Sequence, residues 1–173
     1  MLSISNFFIV LTLAAVTVSA KQCALNYGNY EAVFNAVNGT VYFRVSIQMG
    51  ASVNNAWTAI GFGQSMNSGL DVIMIRILNG RIVVTDEYVR GYTRPVADRM
   101  NNVQIGSVNY SNGILVISFS RPIHTFDPMD HSLFGCTPWQ FVASLSRMSP
   151  QGSVFHHDRT PRRELICLQQ CTN

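Results

Sequence analysis

The chain has 173 residues, of which 12% are charged, and a formal net charge of +3 at pH 7. The positive excess comes from arginines scattered along the chain and from Arg159, Arg162 and Arg163 near its end. No basic stripe is interleaved with aromatics, which argues against a nucleic-acid partner, and the length suits one domain with a real core.

The first twenty residues carry no charged side chain. Their apolar run Phe7-Phe-Ile-Val-Leu-Thr-Leu-Ala-Ala-Val16 has the length of a signal-peptide core. It is too short to span a bilayer, which takes roughly 20 apolar residues. Val18-Ser-Ala20 supplies small residues for cleavage, so residues 1–20 are expected to be a signal peptide and residues 21–173 one secreted, soluble domain. Asn38-Gly-Thr40 and Asn109-Tyr-Ser111 are glycosylation sequons, which agree with export. So does the cysteine count: Cys23, Cys136, Cys167 and Cys171 make an even number, expected to form two disulfides outside the cell. Three pairings are possible; a bridge from Cys23 to the C-terminal region is expected. A zinc site is disfavoured, because Cys167 and Cys171 have no partner pair at zinc-finger spacing.

Beyond the leader the pattern is one of short strands. Val41 to Met49 alternates, with Val41, Phe43, Val45, Ile47 and Met49 on one face, the period of two that a half-buried sheet requires. Trp57-Thr-Ala-Ile-Gly-Phe62 follows after a turn-rich stretch and reads as a short buried strand. It runs into a loop holding Met66 and ending at Asp71. Asp71–Leu78 and Arg81–Tyr88 flank Asn79-Gly80, a strong hairpin signal because both positions tolerate positive φ. A second hairpin joins Val103–Tyr110 to Ile114–Phe119 through Ser111-Asn-Gly113. Trp139–Leu145 and Glu164–Leu168 complete the series, and no segment shows sustained helical periodicity. Strands at this spacing predict an all-β, antiparallel, immunoglobulin-like β-sandwich.

Several landmarks in fixed order resemble the DOMON domain, a secreted β-sandwich whose relatives include the cytochrome domain of cellobiose dehydrogenase. They are Trp57-Thr-Ala-Ile-Gly-Phe-Gly63, the Met66 loop ending in Asp71-Val-Ile, the Asn79-Gly80 hairpin, and Asp86 before Tyr88. Gly113-Ile-Leu-Val-Ile-Ser-Phe-Ser-Arg121, Thr125-Phe-Asp127 through Asp130, Trp139 and Phe155-His156 follow. The resemblance covers about residues 41–168. It implies that haem b is held by Met66 and His156 as axial ligands, with His157 the close alternative, and that Arg159 or Arg162 meets the propionates. Methionine and histidine together would leave the iron without an open position and suited to electron transfer.

Other residues carry alternatives. Met66 can simply fill a gap beneath its loop, and histidines before a terminal strand are most often surface residues. His124, Asp127, Asp130 and His131 offer mixed nitrogen and oxygen ligands within one loop, but Thr-Phe-Asp-Pro is also ordinary turn chemistry. Asp71 is expected to cap loop amides and keep the Met66 loop in shape, and Trp57 and Trp139 to sit in the core. No nucleophile elbow, phosphate loop or HExxH is present, and no catalytic residue is assigned. The sequence therefore points to a secreted, non-enzymatic haem-binding or electron-transfer module with an extracellular redox partner. The competing expectation is a haem-free binding or adhesion module for carbohydrate or a protein ligand.

Overall fold

The computed structural model describes residues 22–50 and 53–172; the expected signal peptide lies outside the described residues. Two antiparallel sheets face each other. The smaller contains β1 (Cys23–Asn26), β2 (Tyr30–Val37), β3 (Thr40–Gln48), β8 (Gln104–Ser111) and β9 (Ile114–Pro122), in the order β1-β2-β3-β9-β8. The larger contains β4 (Asn55–Ser65), β5 (Gly69–Leu78), β6 (Arg81–Val89), β7 (Val96–Ala97), β10 (Cys136–Phe141) and β12 (Arg162–Cys167), in the order β12-β10-β4-β5-β6-β7. A two-residue strand, β11 (Ser146–Arg147), continues past the end of β10 to pair with Trp57 and Ala56 of β4. The antiparallel sandwich expected from the sequence is the fold, and among the described residues the only helices are two short 3₁₀ turns.

Side-chain alternation explains the smaller sheet. Tyr30, Ala32, Phe34 and Ala36 of β2, Val41, Phe43, Val45 and Ile47 of β3, and Leu115, Ile117 and Phe119 of β9 all point inward and are buried. The larger sheet meets them with Ile60 and Phe62 of β4, Ile73, Ile75 and Ile77 of β5, and Trp139 and Phe141 of β10. Trp139 is the hub between the sheets. Its ring centroid lies 4.9 Å from Phe34, 5.7 Å from Phe43 and 4.9 Å from Phe62, the last edge-on. Such contacts exceed simple area burial by about 0.5–1.5 kcal/mol each.

Three Asn-Gly pairs make the tight turns. Asn38-Gly39, Asn79-Gly80 and Asn112-Gly113 all have positive φ at both residues, between 49° and 78°. This conformation matches the right-handed twist of the strands they join. The first of these turns lies within the Asn38 sequon, where it joins β2 to β3. β1 and β2 were not foreseen, although β2 alternates cleanly; its inward alanines weaken the hydrophobic signal. The expected strand 139–145 begins earlier, at Cys136, ends at Phe141 and resumes as β11.

Both disulfides close. Cys136 and Cys167 are directly opposite in the β10–β12 pair, and Cys23 joins Cys171. The second bridge ties β1 of the smaller sheet to the turn after β12 of the larger, as expected for Cys23 and the C-terminal region. No long apolar helix that could cross a membrane is present among the described residues. The loops closed span 148 and 31 residues. Loop-closure entropy then predicts that Cys23→Ala/Cys171→Ala costs about 5 kcal/mol and Cys136→Ala/Cys167→Ala about 4 kcal/mol. Urea unfolding of the two double variants tests this order.

Candidate functional site

β4 and β5 bury both of their faces, which is unusual for an antiparallel sandwich strand. The inward residues enter the core, whereas Trp57, Ala59, Leu70, Val72 and Met74 form a second apolar cluster on the outer face, with Val89 of β6 and Val142. Met66 and Val154 pack against this cluster. Above it opens a cleft of about 490 Å³. That volume lies in the range of small-molecule and cofactor sites.

One wall of the cleft is the turn between β4 and β5. A bulge between Phe62 and Ser65 breaks the register and swings the chain out of the sheet. Gly63 makes this possible: its φ is +128°, and a Cβ there would meet the Gly69 carbonyl oxygen at 2.9 Å. Ser65 and Ser68 then cap each other across the 3₁₀ turn that begins at Met66. The Ser65 amide donates to Ser68 Oγ at 3.1 Å, and the Gly91 amide donates to the Met66 carbonyl at 2.7 Å. Met66 is thereby fixed at the rim, half-buried, beside Tyr92 to Pro95.

A further part of the cleft lining comes from the segment after β11. Met148 pairs with Val154 in an isolated bridge, and the indole nitrogen of Trp57 donates to the Arg147 carbonyl at 3.0 Å. Beyond this hairpin, the Phe155 amide donates to the Arg147 carbonyl and the Asp158 amide to Ser146 Oγ. His156 and His157 lie between these two anchors, and both line the cleft. His156 Nδ1 lies 2.8 Å from the His157 carbonyl oxygen. A carbonyl only accepts, so Nδ1 carries the proton and a neutral His156 keeps its Nε2 lone pair free. That tautomer is the one a metal-bound imidazole uses, its other nitrogen donating to a carbonyl. His157 Nδ1 is buried without a hydrogen-bond partner. Desolvation, followed by the neighbouring His156, pushes the His157 pKa below its ordinary value.

The two segments singled out in the sequence, around Met66 and His156, thus border a single cleft. Arg159 is exposed and Arg162 lies over the Tyr27 ring, 6.0 Å from its centroid; neither lines the cleft. The guanidinium groups that do are Arg94 and Arg163. Sequence reasoning passed over Arg94 because its loop, Gly91 to Asn102, has no periodicity to place it. It also passed over the cleft floor. The signal was there: β4 and β5 read as near-continuous apolar runs, and such runs are apolar on two faces.

The other expectations resolve individually. Both tryptophans are buried as expected, Trp139 in the core between the sheets and Trp57 in the second apolar cluster, where it also lines the cleft. Asp71 does cap a loop amide, that of His131 at 2.8 Å, in the loop after β9 and not in the Met66 loop. Its main partner is Arg121, whose Nη1 donates to Asp71 Oδ2 at 2.6 Å with both side chains fully buried. His124, Asp127, Asp130 and His131 do not assemble a mixed metal site among the described residues. His124 bonds Ser132, Asp127 accepts the Met129 amide, and Asp130 turns inward to Arg121.

A disulfide-bonded antiparallel sandwich with a cleft on one outer face defines a class of small extracellular-type β-sandwich domain by fold alone. The chain matches the DOMON domain family over residues 27–145 and belongs to that family. It is similar to DOMON domain-containing protein Y73F4A.1 of Caenorhabditis elegans, at 28% identity over 68% of this chain and 65% of that protein. It is similar to Y73F4A.2 of the same organism at 23% identity, over 88% of this chain and 90% of the relative. The chain thus spans about two thirds of the first relative and most of the second. In structure it resembles the cytochrome domain of Myriococcum thermophilum cellobiose dehydrogenase, with TM-score 0.61 and 10% identity over 88% of this chain and 84% of that one. It also resembles the cytochrome b domain of Coprinopsis cinerea pyranose dehydrogenase, with TM-score 0.55 and 13% identity over 83% and 84%. At these identities the likeness is one of fold.

Two outcomes follow from the site's electrostatics. Because the folded protein holds His157 below its ordinary pKa, the unfolded chain binds more protons around pH 6. Stability is then full above about pH 6.5, the unfolded imidazole value, and falls as the pH drops below it. His157→Gln flattens this part of the Tm-against-pH curve. Separately, Arg121→Met leaves Asp71 buried and unpaired and costs about 3–5 kcal/mol in urea unfolding, whereas Arg121→Met with Asp71→Asn recovers only part of the loss, because Asp130 also loses its Arg121 contact.

Proposed function

We propose that this chain is a secreted haem b-binding module without catalytic activity of its own, which relays electrons to an extracellular partner. Met66 and His156 would hold the haem iron. The observation that carries this reading is that a thioether and an imidazole, 90 residues apart in sequence, border one apolar cleft. The donor set suits the cofactor: a soft sulfur, a neutral imidazole with Nε2 free, and an apolar floor of Leu70, Val72 and Met74 that excludes water. When bound with these two ligands, haem supplies one-electron transfer and no open coordination position.

The residues of the chain do the rest. The Ser65–Ser68 cap and the Gly91 amide hold Met66 in place, and the Arg147 carbonyl and Ser146 hydroxyl hold the irregular segment that carries the histidines. Arg94 and Arg163 offer guanidinium groups for propionates, a role in which a forked donor is favoured. Export is supported by the two disulfides, by the leader-like first twenty residues and by sequons whose Asn38 and Asn109 are both exposed.

A second reading is a haem-free module for carbohydrate or a protein ligand. It is favoured by two aromatic rings left in solvent at the cleft mouth, Tyr92 at 79% and Phe155 at 50% exposure, which suit stacking on a sugar ring. Recording the visible spectrum of the exported protein, oxidised and reduced and after haemin addition, decides between the two. A Soret band with sharp reduced α and β bands is expected, with haemin affinity reduced at least tenfold in Met66→Ala and in His156→Ala. A colourless protein that takes up no haemin overturns the haem reading and leaves the second one standing.

A further inference from the structure

On the other face of the larger sheet, inside the sandwich, lies a set of carboxylates that neither disulfides nor the cleft explain. Asp71 of β5, Asp86 of β6 and Asp130 of the loop after β9 each place one carboxylate oxygen within 4.8 Å of the others. Asp71 and Asp86 are 0% and 3% exposed, and the Asp130 side chain is 1% exposed.

Each carboxylate is clamped through one oxygen only. Asp71 Oδ2 accepts from Arg121 and from the His131 amide. Asp86 Oδ2 accepts from the Asn102 amide at 2.8 Å, and Asp130 Oδ2 from Asn102 Nδ2 at 3.0 Å. In all three the other oxygen, Oδ1, is buried and has no hydrogen-bond partner. A buried polar atom without a partner costs about 1–3 kcal/mol, and more when charged, so three in one cluster demand an explanation.

Charge balance sharpens the demand. Two further carboxylates, Asp98 and Asp127, act on this cluster, and both oxygens of Asp98 are buried and unpartnered. The cation beside this cluster among the described residues is Arg121, 2.6 Å from Asp71 Oδ2 and 3.4 Å from Asp130 Oδ2, with its guanidinium 5.0 Å over the Phe62 ring.

We propose that Asp71, Asp86 and Asp130 form a binding site for one calcium ion. Hard oxygen donors select a hard cation over zinc, copper or iron. Burial selects among hard cations: a site of protein oxygens shut off from water suits calcium, whereas magnesium dehydrates reluctantly and usually keeps several waters. The ion neutralises the charge that Arg121 leaves over and gives the free oxygens a partner. It also joins β5, β6, the 98–102 loop and the loop after β9 in one brace beneath the turn that carries Met66. The site does not depend on whether haem is bound.

The test uses the full chain freed of metal by a chelator and titrated calorimetrically with calcium chloride and, separately, magnesium chloride. One calcium site is expected with Kd below about 1 mM, the range of extracellular modules, with magnesium at least tenfold weaker. At 5 mM calcium the Tm is expected to rise by about 2 °C or more. Asp86→Asn and Asp130→Asn keep an oxygen for Asn102 to bond, and each is expected to weaken calcium at least tenfold and to abolish the Tm shift. No calcium heat and no Tm shift in the wild-type protein overturns the proposal, a result that needs no variant to fold. Calcium binding unchanged in both variants, or an equal response to magnesium, overturns it as well.

Discussion

The structure turns on a sheet that is apolar on both faces. β4 and β5 carry isoleucine and phenylalanine toward the smaller sheet and Trp57, Leu70, Val72 and Met74 away from it. A sandwich provides only one partner sheet, so the outer apolar face must be covered by something else or remain exposed at a cost of about 25 cal/mol per Å². Part of the cover comes from the chain: Val142, Met148 and Val154, in the segment that follows β10, pack against this outer cluster. The part left open is the cleft. The site is therefore not an addition to the fold but the uncovered remainder of its most hydrophobic surface.

The walls of that cleft are held by polar contacts of modest individual strength. Gly63 gives the bulge, the Ser65–Ser68 cap shapes the turn, and Gln140 Nε2 donates to the Gly63 and Gln64 carbonyls from the adjacent strand. On the core side of the same turn, Asp71, Arg121 and the carboxylates around them fix the loops that meet there. Hydrophobic contact on one face and charge on the other thus converge on the short segment from Gly63 to Asp71. A shift in either would move Met66.

Much of this was legible in the residues. The alternation of Val41 to Ile47, the Asn-Gly turns at 79–80 and 112–113, and the cysteine count all express local chemistry, and the sandwich follows from them. The pair of segments around Met66 and His156 also stood out, because a thioether and adjacent histidines are chemically distinctive. β2 was less legible, since Ala32 and Ala36 fill inward positions with little hydrophobic weight. Arg94, the cleft floor and the cluster of Asp86 with Asp71 and Asp130 were not legible. Their residues lie in different strands and loops, and no spacing along one chain announces that three carboxylates will meet.

The sequence by itself determined which residues alternate, where the chain turns and which chemical groups are available, because these depend on neighbours within a few positions. Only the tertiary structure decided which face of β4 and β5 is covered and that Met66 and His156 border one cleft. It also decided that Arg121 is left facing more buried carboxylate than it can neutralise. The physical reason is the same in each case. Strand period assigns side chains to two faces, but which face meets the other sheet, and which loops close over the remainder, is settled by packing between segments far apart in the chain.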